Sequence, residues 1–279
     1  MTTRTRASAH DVALPNAFRL GLTQARLEIK AFLRAKDMVF FTLGLPLMFL
    51  LVFGVVFSGT LEGTSVSAGQ WFTPGIIAAS VLSAGVVNLA TSMAIERHDG
   101  TLRRLALTPL PTSSYLIGKI LMTALTALAM TAVLLGVGVA LFDVDLPTEA
   151  DRWLTFGWVF GLGVVAAAVL GIAMSGLPRT AKSASAVFNL PFLGLMFISG
   201  VFIEFGSLPE WLRTVAGVFP LRWLAAGMRS VFLPDEFERL IEPGGSYQLD
   251  IGLIVLSAWV IVGFLIAVLT FRWGRERRH

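Results

Sequence analysis

The sequence predicts an all-α, polytopic membrane protein with six transmembrane helices. Three observations carry this. The chain of 279 residues is 55 % hydrophobic and only 14 % charged, against roughly 25 % charged in soluble domains. Six apolar stretches are each long enough to cross a bilayer, which takes about 20 residues of helix. Lysines and arginines are also sorted between alternate connecting segments, the pattern that orients a membrane protein.

Residues 1–37 read as a cytoplasmic arm that carries an amphipathic helix over 16–37. Phe18, Leu22, Ala25, Ile29 and Phe32 recur at helical spacing on one face, with Arg19, Arg26, Lys30 and Arg34 as a basic stripe beside it. Such a helix lies in the membrane interface, its cations near anionic headgroups. The plainer alternative is a soluble arm whose arginines only set topology. No continuous apolar run in the first 37 residues resembles a cleavable signal.

The transmembrane domain takes residues 38–272, and 273–279 form a short cytoplasmic tail. The expected spans are Met38 to Phe57, Pro74 to Ile95, Ile120 to Phe142, Trp153 to Pro178, Ser183 to Ile203 and Ile251 to Phe271. None of these stretches contains Asp, Glu, Lys, Arg or His. With the N-terminus inside, 17 of the 22 basic residues fall on the cytoplasmic side and 12 of the 18 acidic ones outside. The net charge of +4 is then a topology signal, and nucleic acid is not an expected partner. Both termini are expected in the cytoplasm, with the chain in the plasma (inner) membrane.

Residues 204–233 do not fit a span. They are apolar at Phe205, Leu208, Trp211, Leu212, Val215, Val218 and Phe219, yet carry Arg213, Arg222 and Arg229. Pro209 and Pro220 fit helix starts. Two short helices that enter the outer leaflet and return, as a re-entrant hairpin before the last span, satisfy both features. A pair of surface amphipathic helices is the alternative.

Between the second and third spans the chain reads ERHDGTLRRLALTPLPTSSYLIGKI, residues 96–120. Gly100 permits a tight turn, and Thr101 suits an N-cap. Leu102, Leu105 and Ala106 follow at helical spacing, and Pro109 and Pro111 end the helix. The result is a short, stiff helix over 100–108, held between two spans. An ordinary basic loop is the other reading of the same pattern.

The string Glu96-Arg97, Asp99-Gly100-Thr101-Leu102, Arg104-Leu105, Thr108-Pro109-Leu110-Pro111 and Gly118-Lys119 resembles the loop of ABC-2 type transporter permeases, most closely their actinobacterial drug-exporter branch. Leu208-Pro209-Glu210-Trp211-Leu212 and Phe219-Pro220-Leu221 are similar to that family's outer segment. His98 stands where many members have an acidic residue. The resemblance implies a coupling helix at 100–108 that docks on a separate ATPase subunit through Glu96, Arg97, Gly100, Thr101, Leu102, Arg104, Leu105 and Pro109, with Leu102 and Leu105 in the ATPase groove. It also implies two ATPase copies holding ATP and Mg. A second permease copy or a related chain would pair with this one through spans one, two and five, among membrane lipids. The function implied is export of a hydrophobic or amphipathic, drug- or lipid-like substrate, that is, efflux and antibiotic resistance. A lipid-linked glycan is an alternative cargo.

The chain itself contains no Gly-x-x-x-x-Gly-Lys-[Ser/Thr] loop and is not expected to hydrolyse ATP, and the resemblance implies a partner that does. His10, His98 and His279 are scattered, cysteine is absent, and no catalytic or metal set is expected. An ion-coupled carrier is the main rival, and such carriers usually keep ionisable residues within their spans. Asn88, Thr91 and Asn189 lie inside spans and suit either a substrate path or interhelical hydrogen bonds. Met48, Phe49, Phe53, Phe192, Met196 and Phe197 suit an apolar substrate wall or contact with lipid. Gly157 with Gly161, and Gly171 with Ser175, suit close packing inside the subunit.

Overall fold

The computed structural model describes residues 17–57, 59–61, 64–242 and 244–270. Arg4, Arg6, His10, Glu62, Phe271 and the tail from Arg272 to His279 lie outside the described residues. Every named element is a helix. Six are long and apolar enough to cross a membrane: Val39–Val56, Ala68–His98, Thr112–Phe142, Ala150–Met174, Ala181–Ile198 and Leu249–Thr270.

Helix α1 (Ala17–Arg34) stops at Ala35, whose ψ of 73° leaves the helical region, and α2 (Lys36–Val56) follows at once. α1 packs along the start of α6 (Thr112–Phe142). Its buried face coincides with the expected apolar one at Ala25, and less fully at Ile29 and Phe32, but is turned away from Phe18 and Leu22. Gly21 and Ala25 are buried, whereas Phe18 and Leu22 are largely exposed. The cause is steric. A Cβ on Gly21 would lie 2.7 Å from Ile117 Cγ2, and one on Gly118 would lie 2.8 Å from Gln24 Cγ. A glycine on each helix therefore allows the two to cross closely. Phe18, Leu22, Leu27 and Leu33 stay exposed, as do Arg19, Arg26, Lys30 and Arg34.

The second span is composite: α3 (Ala68–Ser83), a π-helical segment (Ala84–Leu89) and α4 (Ala90–His98). It begins six residues before Pro74 because Ser67 and Gln70 form a capping box. This span is the centre of the molecule, 72 % buried against 11 % for α2. Around it stand α2, α6, α7 (Ala150–Met174), α8 (Ala181–Ile198) and α10 (Pro220–Phe232). The π segment falls where the second and fourth spans cross. There a Cβ on Gly85 would lie 2.1 Å from the Ala167 backbone, and one on Gly171 would lie 2.3 Å from the Gly85 carbonyl oxygen. Gly171 thus packs inside the subunit. Gly157 and Gly161 do not: a Cβ on either would meet nothing within 4 Å.

α5 (Thr101–Ala106) links α4 to α6. The helices of spans two and three run past their apolar cores and take in Glu96, Arg97, His98 and Lys119, so ionisable groups sit at one end of each. The fifth span ends at Ile198 and not at Ile203, because the chain turns at Gly200 with φ +83°.

Pro209 precedes α9 (Glu210–Val218), and Pro220 is the first residue of α10. The two helices differ. α9 exposes Trp211, Val215 and Val218, while α10 is buried almost throughout against α3, α7 and α12 (Leu249–Thr270). α10 brings two arginines into the core. Arg222 pairs with Glu242 and lies 3.8 Å from the Phe205 ring. Arg229 donates to the Gly200 carbonyl and lies 4.4 Å from the Trp71 ring. Hydrogen bonds of this kind are what make a buried cation tolerable. α11 (Asp235–Ile241) closes the outer segment, its Asp235 accepting from Arg152 at 2.6 Å.

Candidate functional site

One region of interest is the end of the molecule that bears α5. Gly100 takes φ +79°, the left-handed conformation that suits glycine, and reverses the chain out of α4. Gly100 itself occupies the N-cap position, not Thr101. The cap function falls to Asp99, whose carboxylate accepts from the Thr101 N–H at 2.9 Å. That bond, with one from the Thr101 hydroxyl, holds the Asp99 carboxyl below its ordinary value, and Arg104 adds to the effect. The Thr101 hydroxyl accepts from Arg104 at 2.9 Å.

The apolar face of α5 points into this chain. Leu102 is only 2 % exposed and packs with Leu89, Met93, Tyr115, Ile172 and Ala267; Leu105 is half-buried against the same cluster. Leu102 is therefore not available to an ATPase groove. The exposed surface is Arg103, Arg104, Ala106, Leu107, Thr108 and Pro109. Leu107, 86 % exposed, is the large apolar side chain that this tip presents. Sequence periodicity missed it because Leu102, Leu105 and Ala106 share a face from which Leu107 departs.

Glu96 and Arg97 also turn inward. Glu96 accepts from Lys119 at 2.5 Å, from Tyr115 at 2.7 Å and from Ser92 at 3.2 Å. Lys119, nearly fully buried, also pairs with Glu28 of α1 at 3.0 Å, and Gln24 donates to Glu28 at 3.2 Å. One ammonium thus ties three helices, α1, α4 and α6. Neither Glu28 nor Tyr115 was singled out by the sequence. The signal was the Gly118-Lys119 pair: the glycine lets α1 come close and the lysine meets its carboxylate. Arg97 reaches Ser175 at 3.4 Å, and His98 contacts the Pro178 carbonyl oxygen at 3.2 Å, so α4 is also tied to the end of the fourth span. α5 is braced from both sides.

A second region is a cavity of about 510 Å³ bounded by α2, the composite second span and α8. Asn88, Thr91 and Asn189 all line it, with Phe49, Phe192 and Met196. The π segment carries Asn88, and Thr91 follows on the same span. The Ser80 and Thr91 hydroxyl oxygens are buried and have no hydrogen-bond partner among the described residues. Asn189 donates to Ser185, which leaves its carbonyl oxygen for another donor. Pro46 also lines the cavity and has no N–H for the Thr42 carbonyl, one turn back. An apolar wall with a few unspent polar groups is the usual character of a small-molecule site.

Two of the expected path residues lie elsewhere. Phe53 lines a separate cavity beyond Phe49 on the same helix. Phe197 is exposed and packs at a tilt on Phe202 with ring centroids 5.3 Å apart. Both belong to helices that border the 510 Å³ cavity, but neither lines it.

The chain matches the family described as ABC-2 type transporter over residues 22–233. It is 27 % identical over 223 residues to the probable doxorubicin resistance ABC transporter permease protein DrrC of Mycobacterium tuberculosis, covering 77 % of this chain and 78 % of that one. It is 28 % identical over 193 residues to the putative transport permease ycf38 of Porphyra purpurea, or 67 % of this chain and 65 % of the other. Against the probable multidrug ABC transporter permease YbhR of Escherichia coli K12 it is 23 % identical over 167 residues, 60 % of this chain. The match spans 45 % of that relative, less than half its length.

Proposed function

Because this chain belongs to the ABC-2 type transporter family and is an ABC transporter permease subunit, we propose that it exports a hydrophobic or amphipathic, drug- or lipid-like molecule across the bacterial plasma membrane. A separate ATPase subunit, in two copies holding ATP and Mg, supplies the energy. Two permease chains pair, with the cavity between α2, the second span and α8 of each facing the shared path.

The observation that supports this reading is α5: a braced helix whose exposed tip carries Leu107. The ATPase docks on Leu107, Arg104 and Pro109, while Leu102, Leu105, Glu96 and Arg97 hold α5 to its own subunit. When the ATPases close, α5 moves as a unit with α4, α6 and α1, because Lys119 ties all three. The π segment and Pro46 are places where the path-lining helices can yield. Asn88, Thr91, Asn189 and the Ser80 hydroxyl meet polar groups of the substrate, and Phe49, Phe192 and Met196 meet its apolar part.

Affinity purification of the tagged chain from native membranes tests the reading. A subunit with a phosphate-binding loop should accompany it in equal amount, and ATP should drive uptake of an apolar dye into inverted vesicles. An intact, folded chain that purifies alone and moves dye only with an ion gradient would overturn it in favour of an ion-coupled carrier.

A further inference from the structure

At the end of the molecule away from α5, a second cavity of about 410 Å³ is walled by Phe53, Phe57, Trp71, Phe72 and Phe202, with Glu204 among its lining residues. The rings touch. Phe53 stacks on Phe202 at 4.8 Å and meets Phe72 at 5.2 Å; Phe57 meets Phe72 at 6.0 Å, and Trp71 stands edge-on to Phe72 at 4.7 Å. The Glu204 carboxylate has no ion pair or side-chain hydrogen bond among the described residues. The arginines of α10 do not line this cavity: Arg222 is engaged by Glu242, and Arg229 by the Gly200 carbonyl. Burial and nearby Glu242 push the Glu204 carboxyl up, and Arg229 opposes them.

Aromatic faces carry negative quadrupole density and attract cations, most of all quaternary ammonium groups. A carboxylate without a partner beside them adds charge of the same sign. A hard metal ion would need several more oxygen ligands, and an anion is repelled by both features. We infer that this cavity binds the cationic head of an amphipathic molecule, of the organic ammonium or phosphonium class, against the surfaces that Phe53, Phe72 and Phe202 turn to the cavity and near the carboxylate of Glu204. The apolar remainder of that molecule has a route. Phe49 and Phe53 on α2 and Phe57 at its C-cap follow each other every four residues, and Phe49 lines the 510 Å³ cavity. The site deepens the export reading by naming a substrate class, and its binding is measurable without transport.

The test is equilibrium binding of radiolabelled tetraphenylphosphonium to the purified chain in nanodiscs, with tetraphenylborate, of the same shape and opposite charge, as competitor. Saturable binding is expected, with no competition by the borate. Glu204→Gln should weaken it about tenfold. Phe202→Leu, which keeps the carboxylate, should weaken it about threefold. Melting curves confirm that both variants are folded. No saturable binding, equal competition by the borate, or wild-type affinity in either variant would overturn the inference. Binding without a co-purifying ATPase would sink the export reading alone. An ATPase partner without binding would sink this site alone.

Discussion

Lys119→Met should destabilise the protein by about 2–3 kcal/mol. The ammonium is 3 % exposed and pairs with Glu28 at 3.0 Å and Glu96 at 2.5 Å. Removing one partner of a fully buried pair costs about 3–5 kcal/mol, mostly because the other charge is left unpaired. Here the two carboxylates are 17 % and 21 % exposed, so water screens part of that loss. Tyr115 still donates to Glu96 in the variant, which limits it further. Glu28→Gln leaves the Lys119–Glu96 bond intact and should cost only about 1 kcal/mol. In the Glu28→Gln background, Lys119→Met should cost about 1 kcal/mol less, because one of the facing carboxylates is then neutral. The assay is thermal unfolding of all four chains in one detergent. A loss of 2–3 kcal/mol corresponds to a fall of about 4–12 °C. A fall below about 1 °C for Lys119→Met, or the same fall in both backgrounds, would refute the claim that one ammonium ties three helices.

Three further outcomes follow from the packing. Leu102→Ala should cost about 2–5 kcal/mol as a buried truncation, while Leu107→Ala should stay within about 0.5 kcal/mol; equal melting points would contradict the orientation of α5. Gly85→Ala places a methyl 2.1 Å from the Ala167 backbone and should cost about 1–3 kcal/mol. Gly136→Ala, in open space on α6, should be neutral or slightly stabilising, and tolerance of both would argue against the close crossing. Asp99 has a folded value below its ordinary 3.8, so its cap on α5 is fully present above that value. As pH falls through the lower folded value the cap is lost, and protection of the Thr101 amide relative to its intrinsic exchange rate should fall there, but not in Asp99→Ala, which lacks that protection throughout.

The six spans were legible because hydrophobic length and charge placement are one-dimensional signals. The breaks at Pro209 and Pro220 and the turn at Gly100 were legible because those residues restrict or extend the backbone locally. What escaped was orientation about helix axes. Gly21 against α6 and Gly118 against α1 turn the buried face of α1 away from Phe18 and Leu22, a matter of close approach that apolar periodicity does not weigh. The same holds for α5, where Leu102 and Leu105 form the apolar side but turn toward their own subunit. The pairing of Glu28 with Lys119 joins residues far apart in sequence, so only the folded chain displays it. The π segment arises where the second and fourth spans cross, and no local residue pattern announces it. Asn88, Thr91 and Asn189 were legible as polar groups inside spans; that they share one cavity was not.

Docking of an ATPase on the exposed tip of α5 can be measured with Leu107→Asp in the purified transporter. The variant should keep the wild-type melting temperature, lose the ATPase subunit on purification and lose ATP-driven dye uptake. An ATPase still bound in full, with uptake at the wild-type rate, would contradict it.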